Sequence, residues 1–172
     1  MTSGMQIERT GGPFEHLCFG PFENVDDLLK WTQRTSSDPH NVTYAIRNKR
    51  LQRVVGTFAL MGVDIDVGPA EIASIWCGTF AHGTEIIPST VRLVVSHLFD
   101  RLHYRRVVWK CDVTNVASRR ATENMGLAYE RIFRKPVFIR DRFRGTAWYS
   151  VIDGDWTTVA TTPGRRIRAK RP

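Results

Sequence analysis

Two stretches of this sequence combine residues that can hold an anion with residues that can move a proton. The first is DVTNVASRR, 112–120. Asn115 or Thr114 can cap a helix there, and Ser118 then falls one turn in, facing whatever lies above the strand ends. Arg119 and Arg120 bring positive charge to a helix start, where the dipole would rather have acids. Solvation of both arginines is the bland account of that small cost; anion binding is the functional one. The second stretch is TFAHGTEIIPST, 79–90, in which His82, Gly83 and Thr84 supply flexibility and donors ahead of an apolar helix. Free N–H groups and the dipole at a helix start favour phosphate. Most helix starts bind nothing, so this second stretch is a weak signal by itself.

Hydrophobic periodicity outlines the scaffold that must position these residues. Residues 23–35 read as a short helix with Asn24 as its cap and Leu28, Leu29 and Trp31 as apolar contacts. The turn residues of 36–41 form a loop. Runs 42–47 and 54–61 flank the polar NKRLQR and read as a hairpin, and 71–77 as a further strand. Over 88–103, Val91, Val94, Val95, Leu98, Phe99 and Leu102 recur at helical spacing, with Pro88 in the first turn. Residues 106–112 alternate as a strand. Residues 115–125 form a second helix with Ala117, Ala121 and Met125 inward, closed by Gly126 in a left-handed conformation. Strands 127–133 and 146–152 follow, joined by a basic connection, 134–145. This order predicts a mixed α/β sheet with one parallel pair in the middle, antiparallel flanks and helices on both faces.

Length and charge narrow the function classes. A chain of 172 residues, 42% apolar, suits one domain. The net charge is 25 − 17 = +8, and five positives lie at 165, 166, 168, 170 and 171, which leaves +3 for the body. The basic character is therefore mostly a tail property and weak support for nucleic-acid binding by the domain. Cys18, Cys77 and Cys111 contain no CxxC, which argues against a disulfide framework and a zinc site; each is expected as a small buried hydrophobe. No apolar run approaches the roughly 18 residues of a membrane span. The first residues lack a signal pattern, so a cytoplasmic protein is expected, with the basic tail as a nuclear signal the alternative. The expected organisation is a partly disordered segment over 1–19, one domain over 20–156 and a disordered basic tail over 157–172.

GPFENVDDLLKW (20–31), YAIRNKRLQRVVGTFAL (44–60), EIASIW (71–76), LFDRLHYRRVVWKCDVTNVASRRATENMGL (98–127) and RGTAWYSVIDGDW (144–156) carry a family resemblance. The sequence resembles the GNAT N-acetyltransferases, in the branch of the ribosomal-protein alanine acetyltransferases and their small fungal and bacterial relatives. The resemblance implies the GNAT fold and acetyl-CoA as co-substrate. It implies that strands 71–77 and 106–112 splay apart and that the pantetheine arm enters between them. Ile75, Trp76 and Cys77 would then line the arm. His82, Gly83, Thr84 and Ser89 would hold the pyrophosphate, and Asn115, Ser118 and Arg119 would stand near the thiol end.

The chemistry needs a base for the ammonium, donors for the oxyanion and an acid for the thiolate. Glu71 is the carboxylate expected as base. A backbone N–H of strand 71–77 would serve the oxyanion. Ser118 is the expected acid, with Tyr149 second. Three departures stand against the resemblance. Its first strand and helix have no counterpart ahead of residue 20, so the fold is expected without its first strand. The phosphate turn reads TEIIPST, with Pro88 removing one donor. Ala73 and Gly145 stand where this branch has Gly and Asp. The expected function is N-acetylation of a small-molecule amine or a protein N-terminus, without a metal. The alternatives are a non-catalytic acyl-CoA-binding protein and a nucleic-acid or ribosome-associated protein. A sheet edge left bare by the missing strand would be sticky and could support a dimer.

Overall fold

The computed structural model describes residues 14–161 apart from 65, 67 and 140. The expectations for 1–13 and for the basic residues at 165–171 lie outside the described residues. Helix α1, Val25–Ser36, begins at Asn24, whose side chain accepts the Asp27 N–H at 2.9 Å. Asp26 and Asp27 sit in its first turn, where the dipole favours acids. Strands β1 (Asn41–Asn48), β2 (Arg53–Met61) and β3 (Ala70–Cys77) lead to helix α2, Ile86–Ser96. Strand β4, Arg106–Asp112, leads to helix α3, Val116–Asn124, then to β5 (Ala128–Ile139), β6 (Arg142–Ile152) and helix α4, Asp153–Thr161. The six strands lie in the order β1-β2-β3-β4-β6-β5, and β3–β4 is the parallel pair. The mixed α/β sheet is as expected, and no strand among the described residues precedes α1. No helix among the described residues is long and apolar enough to cross a membrane.

The register sorts side chains onto two faces. Phe58, Leu60, Ile72, Trp109 and Tyr149 turn toward α2 and α3 and build the core with Val91, Val95 and Leu98. Trp76 pairs with Thr57, one residue out of phase with Phe58, and so points to the opposite face. There it joins Phe14, Phe22 and, through Phe22, Trp31 of α1 in ring contacts of 5.4–5.7 Å.

Five sequence expectations change. Residues 14–19, assigned to a partly disordered segment, pack through Phe14 and Phe19 into this aromatic cluster. Residues 157–161, assigned to the tail, belong to α4, which Trp156 anchors against Phe99 with ring centroids 5.7 Å apart. The connection 134–145 is the arm of the β5–β6 hairpin: a register shift between Phe133 and Val137 accommodates Pro136, and pairing resumes at Val137 with Arg144. The helix expected over 88–103 ends as α2 at Ser96 and widens into a π turn over His97–Arg101, closed by the Leu102 N–H on the His97 carbonyl; the extra residue turns Leu102 outward. Cys77 and Cys111 are buried as expected, whereas Cys18 is exposed.

Candidate active site

The sheet opens between its two central strands. Only three pairs join β3 to β4, Ala70–Val107, Glu71–Val108 and Ile72–Trp109. Beyond them β3 stays with β2 and β4 stays with β6. A bulge drives the divergence: Phe58 of β2 faces two residues of β3, Ser74 and Ile75, and Ser74 is left-handed at φ 52°. From Ala73 onward the edge of β3 toward β4 has no strand partner, which frees its N–H groups for a ligand.

Two cavities meet at this opening. One, of about 770 Å³, runs between β3, the turn 79–85 and the starts of α2 and α3. The other, of about 460 Å³, lies on the opposite face, under residues 16–19 and the β5–β6 arm. Five residues line both: His16, Ile75, Trp109, Asn115 and Ser118. A reaction between molecules entering from the two sides would take place there.

Most of the sequence candidates converge on the larger cavity. Ile75, Trp76, Cys77, His82, Gly83, Thr84, Asn115 and Ser118 all line it. Asn115 caps α3, its side-chain oxygen accepting the Ser118 N–H at 2.9 Å. The Ser118 hydroxyl accepts from the Trp109 indole at 3.0 Å, which occupies a lone pair and leaves its proton to be donated, toward the Cys111 thiol as the site stands. Burial pushes the neighbouring Cys111 thiol up, against an opposing hydrogen bond from Ser118. Burial likewise pushes the Cys77 thiol up.

Four candidates fall elsewhere. Tyr149 is fully buried beneath α3, its hydroxyl held between Arg119 Nε and Glu123 Oε1 at 3.2 Å each, so it reaches neither cavity. Arg119 turns with it, away from the opening. Ser89 is exposed on α2 and its N–H is taken by the Glu85 carbonyl. Glu71 lines the smaller cavity, with its carboxylate 2.5 Å from Lys110 Nζ.

The structure also places the neighbouring cations and the turn. Arg120 shares the α3 stripe of Ala117, Ala121 and Asn124 and lines the larger cavity in place of Arg119; the spacings of three, four and seven were legible. Arg92, one turn beyond Pro88, lines the same wall. Thr84 and Gly83 shape the turn: the Thr84 hydroxyl accepts the Ile86 N–H at 3.3 Å, and Gly83 is left-handed at φ 69°. With Pro88 lacking a donor, cationic side chains carry much of any phosphate binding at this wall. If this wall holds acetyl-CoA, as the resemblance implies, Arg120→Ala is expected to weaken that binding roughly five- to tenfold and to flatten its salt dependence. Calorimetry at two ionic strengths reads both; an unchanged affinity removes Arg120 from the site.

His16 had no sequence signal. Its backbone carbonyl is held by Arg144 Nη1 at 2.9 Å, and its Nδ1 lies 3.6 Å from the buried Asp112 carboxylate. Burial would raise the Asp112 pKa, but hydrogen bonds from the Thr114 N–H and hydroxyl and from Arg142 outweigh it and hold the carboxyl below its usual range.

Known proteins share this fold. The Acetyltransferase (GNAT) domain family matches residues 14–128. A GCN5-related N-acetyltransferase from Brucella melitensis is 32% identical, with a TM-score of 0.81 over 86% of this chain and 67% of its own. A probable acetyltransferase of the GNAT family from Chromobacterium violaceum is 28% identical, with a TM-score of 0.77 over 84% of this chain and 76% of its own. An acetyltransferase described as putative from T. thermophilus is 25% identical, with a TM-score of 0.75 over 84% and 77%. No curated protein matches the chain. A matched domain spanning well over half of the sequence, on a sheet split between its two central strands, makes this chain a member of the GNAT acetyltransferase family.

Proposed function

We propose that the chain is an N-acetyltransferase that moves an acetyl group from acetyl-CoA to a primary amine of a small molecule or a protein N-terminus. The observation that carries this reading is the meeting of two cavities in the β3–β4 gap. The larger one suits acetyl-CoA, which supplies the activated acyl carbon; the smaller one suits the acceptor. The resemblance to the ribosomal-protein alanine acetyltransferases supports a protein N-terminus among the acceptors and a cytoplasmic setting.

The residues at the junction divide the proton chemistry. His16 is the one titratable side chain among the described residues that lines both cavities, so it takes the ammonium proton. Glu71 is committed to Lys110 and keeps that cation out of the reaction path. Backbone N–H groups of β3 beyond Ile72 stabilise the oxyanion. Ser118, which accepts from the Trp109 indole, gives a proton to the departing thiolate and takes back the second proton that the acylated nitrogen sheds.

Calorimetry with acetyl-CoA, followed by thiol release across a panel of primary amines, tests this reading. Binding with turnover is expected. Binding without turnover on any amine would replace the enzyme with an acyl-CoA-binding protein on the same scaffold. Absent binding, with tight RNA binding at low salt, would favour the nucleic-acid alternative.

A further inference from the structure

The smaller cavity carries information about its occupant in its charges. Two acids line it, and both are neutralised: Glu71 by Lys110 at 2.5 Å and Asp112 by Arg142 at 3.0 Å. Arg144 remains. It has no ion-pair partner among the described residues; Nη1 donates to the His16 carbonyl, and Nε is buried without a partner. Two residues along β6, the Thr146 hydroxyl is also buried and unpartnered, in a residue only 5% exposed. Residues two apart on a strand share a face, and Arg144, Thr146 and Trp148 all line this cavity. The next wall is aromatic, with the Phe133 and Trp148 rings 4.9 Å apart and Lys110 Nζ 4.2 Å from the Trp148 ring centre.

Buried polar groups left unpaired cost about 1–3 kcal/mol each, so native structures rarely keep them without a use. A polyamine would find both acids occupied and an arginine in its way. A plain alkylamine, or the amide-linked residue at a protein N-terminus, would bring no counter-charge to Arg144. Both unpaired atoms are closed off as the cavity stands, and a turn of the Thr146 hydroxyl and the Arg144 guanidinium toward a carboxylate would satisfy them, because a guanidinium and an adjacent hydroxyl are matched donors for a carboxylate. We infer that the acceptor is a free amino acid with an apolar side chain, its carboxylate held by Arg144 and Thr146 and its side chain against Phe133 and Trp148. This inference rests on the acetyltransferase reading above and chooses among the acceptors that reading allows.

The test compares phenylalanine and methionine with their carboxamides and with spermidine, using the full chain and acetyl-CoA. The free amino acids are expected to exceed the carboxamides in kcat/KM by at least about tenfold. Arg144→Gln should erase the preference, mostly through KM, and Arg144→Lys should restore part of it. Since Arg144 also holds residue 16, Thr146→Val provides a second variant that keeps shape and removes only the hydroxyl; it should reduce the preference several-fold. Carboxamides or spermidine turned over as fast as the free amino acids would overturn this inference and leave the acetyltransferase reading standing. Acetyl-CoA binding with no turnover of the amino acids would also overturn it. Failure to bind acetyl-CoA would remove the reading itself, and the inference with it.

Discussion

His16→Gln is expected to lower kcat about a hundred- to a thousandfold at neutral pH, and Ser118→Ala about a hundredfold, with acetyl-CoA affinity nearly unchanged in the first. The two losses separate by pH. Without His16 the enzyme depends on the small fraction of acceptor that is already a free amine. That fraction rises as pH rises, so the His16→Gln deficit should shrink toward alkaline pH. Without Ser118 the missing step is protonation of the thiolate, which higher pH does not help, so that deficit should persist. Ser118→Ala also strips the Trp109 indole of its acceptor, 3.0 Å away in the native protein. An indole N–H left unpaired in a part-buried site costs about 1–3 kcal/mol, so this variant alone should melt earlier. Initial rates of thiol release across pH, paired with thermal melts, read both effects. A His16→Gln deficit that stays constant with pH would dismiss the imidazole as base, and unchanged turnover in Ser118→Ala would dismiss the hydroxyl as acid.

The elements that hold these two residues differ in how far the sequence reveals them. Strand β4 is found at its observed bounds, 106–112, because its alternation is local and apolar. The cap of α3 is legible for the same reason: Asn115 and Ser118 are three apart, and capping needs only that spacing. What escapes is everything set by long-range register. Tyr149 reads as the second candidate acid, after Ser118, because the chemistry asks for a hydroxyl near the thiol. Its pairing with Trp109 places it on the helix side, where Arg119 and Glu123 enclose it. The choice of Arg119 over Arg120 fails by one residue, a rotation of about 100° on a helix, which decides between the core side and the cavity. His16 is 96 residues from Asp112, the carboxylate its Nδ1 faces, and no local pattern could join them. It reaches the site because Phe14 and Phe19 anchor the segment around it, and those aromatics look unremarkable until Trp76 and Trp31 are in place. The β5–β6 arm is missed through Pro136, which ends most strands but is accepted at a register shift.

Gly56→Ala is expected to be among the most damaging small substitutions in the protein. Gly56 is buried in β2 opposite Cys77, and a Cβ there would lie 2.3 Å from the Trp76 carbonyl oxygen and 2.9 Å from Cys77 Cα. Both are backbone atoms of β3, so no rotamer change relieves the contact; the two strands must part. Overpacking of this kind costs about 1–3 kcal/mol, and a rigid obstacle puts the expected cost at the upper end. For a domain of this size each kcal/mol lowers Tm by roughly 2–4 °C, so a fall of about 6–12 °C is expected. The damage should not stop at stability. Trp76 and Cys77 line the larger cavity, and the bulge that opens the β3–β4 gap lies just beyond the Thr57–Trp76 pair. Pushing β3 outward therefore shifts the wall that acetyl-CoA would meet, and its affinity should fall in the material that remains folded. Gly83→Ala is the matched control, because Gly83 also lines that cavity but a Cβ there would meet nothing within 4 Å. Its φ of 69° makes alanine cost about 1–2 kcal/mol in backbone strain alone. If Gly56→Ala melts no earlier than Gly83→Ala, close approach of β2 to β3 is not what sets the shape of the gap.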